Sequence, residues 1–189
     1  MWTLAELGMD YEAVTEDVFK HPELKKYHPL GRTPAMDIDG KGLFESAAMC
    51  TYLADLNPDK ELISPSGTWE RAMHDQWTSF ALTEMEAWGW STFRSENLMP
   101  DDERVPEMYD YNRNAYRKSA AALEMALADS DYLINNKFSV TDIIVGWTCH
   151  FTTRLGYNDG FDNINAYVER LMARPKCALP AIELALPRS

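Results

Sequence analysis

One stretch, residues 28–58 (HPLGRTPAMDIDGKGLFESAAMCTYLADLNP), constrains this chain more than any other. Pro34 follows the β-branched Thr33 and opens a short apolar run over residues 35–38. A turn at Asp39-Gly40, with Gly42 just behind it, leads into a second run, Leu43-Phe44, which predicts a β-hairpin. Glu45-Ser46 then heads a segment in which Ala48, Met49, Tyr52, Leu53 and Leu56 recur with helical spacing until Asn57-Pro58 stops it. A hydroxyl and free N–H groups at such a helix start can hold an anion, and the neighbouring carboxylate can hold an ammonium group. The combination suits a zwitterionic, amino-acid-like end of a ligand. Glu45 and Ser46 also admit a plainer reading, as an acid beside the helix dipole and a first-turn cap.

Around this stretch the chain divides in two. Residues 1–8 read as the end of a helix, with Leu4 and Leu7 apolar and Gly8 as the stop. Residues 11–18 alternate weakly and read as a strand, and a short helix is expected over residues 22–28. Residues 61–67, polar and containing Pro65 and Gly67, form the best linker, which puts an α/β domain at 1–60 and a helical domain at 68–189. No strand signal appears beyond Thr68. Thr68 is expected to cap a long helix on which Trp69, Met73, Trp77, Phe80, Glu84 and Trp88 recur at intervals of three or four, with Trp69, Met73 and Trp77 packed inside. A Pro-containing acidic stretch at 100–106 breaks it. A second helix carries Tyr109, Tyr116, Ala120, Leu123 and Leu127 on one face. In the patch FSVTDI, Ser139 is the N-cap and Asp142 the third helical residue of a capping box, flanked by a Phe138/Ile143 staple. The segment after it is apolar on most sides, which predicts a central buried helix.

Composition narrows the function classes. A formal net charge of −12 argues against binding a polyanion such as nucleic acid. No apolar run reaches transmembrane length, no basic amphipathic helix favours a membrane surface, and no signal-peptide layout opens the chain. Three cysteines, Cys50, Cys149 and Cys177, without CxxC spacing imply a reduced, cytoplasmic protein with buried thiols. The four histidines show no metal-ligand spacing, so no metal is expected, and His150 on the apolar helix reads as a satisfied core histidine.

The run Pro29-Leu30-Gly31-Arg32-Thr33-Pro34-Ala35, the acidic turn, Glu45-Ser46-Ala47-Ala48 and the later Ser139 box together resemble the glutathione transferase family, in the right order and over nearly the whole chain. The resemblance implies a thioredoxin-like α/β domain followed by an all-α domain. It further implies that Pro34 is cis, that the Thr33 backbone pairs with the cysteinyl part of glutathione, and that Glu45 and Ser46 hold the γ-glutamyl end. Arg32 is a candidate for the glycyl carboxylate, with a solvated surface role as its alternative. Trp88, Trp90 and Phe93 are candidates for an apolar second-substrate pocket. One departure shows: His28 stands where many relatives carry Asn.

Members of that family begin with a strand and a loop bearing a Tyr, Ser or Cys that activates the sulfur. This chain opens at what reads as the last turns of the following helix, so the expectation is an N-terminally truncated member whose catalytic residue lies upstream of Met1. No residue is carried over to that role. The implied function is conjugation of the glutathione thiol to a small apolar electrophile by a homodimer. The alternatives are a non-catalytic relative that binds ligands or partners, and a glutathione-dependent isomerase, dehalogenase or etherase of the same fold.

Overall fold

The structure, a computed structural model, describes residues 1–14 and 21–179. It opens with α1 (Trp2–Leu7), which ends at Gly8 in the left-handed conformation (φ 71°), where a glycine carries no Cβ penalty. Residues 11–14 form no strand, and residues 15–18 of that expected strand lie outside the described residues. The short helix α2 spans Leu24–Tyr27. β1 (Ala35–Ile38) and β2 (Lys41–Phe44) make a two-stranded antiparallel sheet, in the register Ala35↔Phe44 and Ile38↔Lys41. The turn between them has Asp39 at φ 51° and Gly40 at φ 82°, two left-handed positions suited to a two-residue hairpin loop. α3 (Ser46–Asp55) follows, then a single 3-10 turn at Pro58–Lys60.

The expected linker is pinned in place. Leu62 is buried, and its carbonyl accepts a 2.8 Å hydrogen bond from the Val140 N–H. Beyond it the described chain is helical: α4 (Trp69–Phe80), a π segment (Ala81–Glu86), α5 (Ala87–Asn97), α6 (Tyr109–Ala126), α7 (Val140–Thr153) and α8 (Asp162–Met172). Thr68 caps α4 by accepting from the Arg71 N–H at 3.2 Å.

The packed face of α4 differs from the expected aromatic stripe. Trp69 is 74% exposed and Trp77 only half-buried, whereas His74, Thr78, Ala81, Met85 and Gly89 form the buried ridge. The reason is the distance between helices. A Cβ built on Gly89 would stand 2.8 Å from Thr152 Cγ2 and 3.2 Å from Phe151 Cε1, so the α5–α7 contact admits no side chain there. Large rings are displaced to the flanks, where Trp77 meets Phe80 edge-on at 5.7 Å. Periodicity located the helix but not the face that the small residues bury.

α7 is the central element, with eleven of its fourteen residues buried. Its start is a capping box: Asp142 Oδ2 accepts from the Ser139 N–H (2.8 Å) and hydroxyl (3.0 Å). Oδ1 accepts from the Leu133 N–H (3.0 Å) and the Tyr167 hydroxyl (2.9 Å). Phe138 and Ile143, the staple pair, are both buried. A second polar network lies deeper, where the Tyr116 hydroxyl donates to Asn158 Oδ1 at 2.5 Å and accepts from Thr152.

Candidate functional site

The hairpin register decides what meets at its open end. Ala35 pairs with Phe44, so Pro34, one residue before, and Glu45, one residue after, are brought side by side, away from the Asp39-Gly40 turn. The Thr33–Pro34 peptide bond is cis. Arg32, Thr33, Pro34, Glu45 and Ser46 are all exposed. Five candidate residues, in two groups eleven positions apart in the sequence, are therefore exposed around the open end of the hairpin.

The approach to Pro34 is organised by His28, which is buried beside Phe44 with ring centroids 4.8 Å apart. His28 Nδ1 accepts from the Leu30 N–H at 3.1 Å, and its carbonyl accepts from the Gly31 N–H at 2.9 Å. An Asn side chain makes the same bond to the N–H two residues on, so this His supplies an equivalent acceptor for the turn.

Glu45 has φ 67° and ψ 109°, a conformation that L side chains rarely adopt and that costs on the order of 1–3 kcal/mol. Glu45 holds the N-cap position of α3, and its side chain makes no capping hydrogen bond among the described residues. The first N–H groups of a helix have no partner within it, and here they stand next to the exposed Glu45 and Ser46. Arg32 has no ion-pair partner among the described residues.

The other candidates separate. Phe93 is buried, against Phe151 at 5.5 Å, and Trp90 stacks on it at 5.4 Å while remaining 42% exposed. Trp88 packs edge-on against Tyr111 of α6. The three rings therefore divide between two environments: Phe93 belongs to the core, and Trp88 faces α6. Thr3, the one hydroxyl in the first ten residues, is 3% exposed and donates to Cys50 Sγ at 3.1 Å. Cys149 is fully buried, which pushes its thiol up to about 12. The satisfied core histidine is His74 rather than His150, which is only half-buried. His74 Nε2 lies 3.0 Å from Thr51 Oγ1 of α3 and Nδ1 lies 2.9 Å from Thr141 Oγ1 of α7, so one ring ties the hairpin half to the helical half. Its partners are 23 and 67 residues away, and no local pattern marks it. Among the described residues no group of three or more His, Cys, Asp or Glu side chains is placed to hold a metal ion, and no helix is long and apolar enough to cross a membrane.

Known proteins similar to this chain fall in one family. Residues 1–55 match the Glutathione S-transferase, N-terminal domain family and residues 85–175 the Glutathione S-transferase, C-terminal domain family. Glutathione S-transferase GstA of Escherichia coli O157:H7 is 28% identical over 182 residues, covering 92% of this chain and 87% of that protein. Elongation factor 1-gamma of Prunus avium is 29% identical over 90% of this chain, which spans 40% of that longer protein. A sphingomonad glutathione S-transferase, solved in complex with glutathione, superposes with a TM-score of 0.81 at 28% identity, over 97% of this chain and 92% of its own. With a thioredoxin-like front half, a helical remainder and both family domains in order, the chain belongs to the glutathione transferase superfamily.

Proposed function

We propose that this chain is a glutathione transferase that binds glutathione at the open end of the hairpin. The observation that carries the reading is the hairpin register, which sets Pro34 and Glu45 just beyond the Ala35↔Phe44 pair, with Glu45 held at positive φ at the start of α3. In this reading the Thr33 backbone pairs with the cysteinyl unit and Arg32 faces the glycyl carboxylate. Ser46 and the first α3 N–H groups take the γ-glutamyl carboxylate, and Glu45 takes its ammonium group. The reaction is attack of the bound thiolate sulfur on an electrophilic carbon of a small apolar substrate. A C–S bond forms, and the displaced group leaves with its electron pair. The working unit is a cytoplasmic two-fold dimer of chains, each divided into a 1–60 domain, a 61–67 linker and a 68–189 domain. Light scattering giving the 21.6 kDa monomer mass at micromolar concentration overturns the dimer.

Titration calorimetry tests the site. Ser46→Ala removes one hydrogen bond to a charged group, and affinity for glutathione should fall about tenfold. Equal affinity of variant and parent overturns the assignment. A second reading, a ligand-binding relative without turnover, is favoured by the likeness to elongation factor 1-gamma. Turnover of an aromatic halide with glutathione separates the two. A glutathione-dependent isomerisation, dehalogenation or ether cleavage uses the same bound thiol and is separated by substrate screening alone.

A further inference from the structure

The turn between α7 and α8 and the adjoining face of α6 border an open cavity of about 310 Å³, lined by Arg113, Arg117, Gly156 and Asp159. No residue of the hairpin site lines it. The turn is tied down from beneath. Tyr157 and Asn158 are both buried, the Tyr157 hydroxyl donates to Thr92 at 2.8 Å, and Asn158 Nδ2 donates to the Cys149 carbonyl at 2.8 Å. Gly156, at φ 68°, bends the chain without adding a side chain to the cavity. Arg117 Nη1 donates to the carbonyls of Tyr157 (3.0 Å) and Asp159 (2.8 Å), and its guanidinium lies 4.6 Å from the centroid of the Phe161 ring. Arg117 Nε and Nη2 have no hydrogen-bond partner among the described residues. Arg113, one turn earlier on α6, is exposed, with its guanidinium 5.8 Å from the centroid of the Tyr157 ring.

Unbalanced charge sets these two arginines apart. The chain carries a formal net charge of −12, and Arg71, Arg104, Arg170 and Arg174 each meet a carboxylate at 2.8 to 3.1 Å. Arg113 and Arg117 make no ion pair among the described residues, although Asp159 lines the same cavity. Two cations at positions i and i+4 of one helix repel each other, and the carbonyls that hold Arg117 do not cancel its charge. We propose that this cavity binds the phosphate group of a small phosphorylated molecule. It is a second site, and it does not depend on the glutathione reading. A guanidinium group offers paired N–H donors in a planar fork that matches phosphate oxygens. A carboxylate has two oxygens, which one fork occupies. A phosphate monoester has three terminal oxygens and can accept from both forks. The Tyr157 and Phe161 rings behind the two cations support their planes. The cavity is larger than a phosphate group, so part of the molecule that carries it also fits. Asp159 works against the anion, and its removal should tighten binding.

The test follows the backbone amide signals of Gly156, Asp159 and Gly160 by nitrogen–proton correlation NMR. Inorganic phosphate is the probe, at constant ionic strength, with chloride and acetate as controls. In the parent, phosphate should shift these signals saturably, and acetate should bind about tenfold more weakly. Arg113→Gln should weaken phosphate about tenfold. Arg117→Lys, which keeps the charge and loses the fork, should also weaken it, and Asp159→Asn should tighten it severalfold. Arg113 is exposed and makes no hydrogen bond among the described residues, so Arg113→Gln should keep the parent's melting temperature and carries the test even if Arg117→Lys loosens the turn. Shifts that never saturate, or that chloride reproduces, mean counterion screening alone and overturn the site. Acetate binding as tightly as phosphate overturns the choice of ligand. Phosphate affinity unchanged in Arg113→Gln overturns the assignment of the two arginines.

Discussion

Replacing Asp142 by Ala should be among the most damaging single changes in this chain. Its carboxylate accepts four hydrogen bonds, from the N–H groups of Leu133 and Ser139 and the hydroxyls of Ser139 and Tyr167. Asp142 and Tyr167 are both 0% exposed, so water cannot replace the lost acceptor without opening the core. The Ser139 hydroxyl can turn to another acceptor, but the two N–H groups and the Tyr167 hydroxyl are held in place. Each orphaned buried donor costs about 1–3 kcal/mol. Against that, the variant no longer desolvates a carboxylate, a relief of several kcal/mol, and burial does push the Asp142 carboxyl above its usual range. The three orphaned donors outweigh that relief, and the net loss expected is about 3 kcal/mol. At about 2–4 °C per kcal/mol for a chain of this size, the melting temperature should fall by roughly 10 °C. Urea denaturation read by Trp fluorescence measures the loss. Tyr167→Phe should cost about 1 kcal/mol alone and less in the Asp142→Ala background, where the hydroxyl it removes is already unpaired. A loss below about 1 kcal/mol in Asp142→Ala, or strict additivity with Tyr167→Phe, would refute the claim that this carboxylate holds three elements together.

Two further outcomes follow from the packing. Burial holds His74 below its ordinary 6.5, so on acidification the unfolded chain binds its proton first, and the contribution of this residue to stability should be complete above about pH 6.5 and fall below it. His74→Gln, which keeps a hydrogen bond to one Thr but does not titrate, should lose less stability than the parent between about pH 7.5 and pH 5.5, and equal losses would sink the assignment. Gly89→Ala forces a methyl group to 2.8 Å from Thr152 Cγ2 at a contact where Thr152 and Phe151 are both buried. The expected cost is about 1–3 kcal/mol, and a variant as stable as the parent would mean that α5 and α7 can separate freely.

The sequence alone determined the elements whose signals are local. Pro34, the Asp39-Gly40 turn, the helix beginning at Ser46, the Thr68 cap and the Ser139–Asp142 box each depend on residues within a few positions of one another, and each is found where its chemistry places it. The resemblance of these motifs to one family was legible for the same reason. Tertiary structure alone decided which surfaces meet. It buried Gly89 and Ala81 in place of the Trp69–Trp77 stripe, because helix approach depends on the partner's residues and not on the helix's own periodicity. It made His74, not His150, the histidine buried between the helices, because the two threonines that satisfy it come from α3 and α7. It sent Trp88 to α6 and Phe93 into the core. And it turned Glu86, one acid among thirty in the sequence, into a carboxylate anchored by the Thr148 hydroxyl, a relation written across 62 residues that no window of sequence contains.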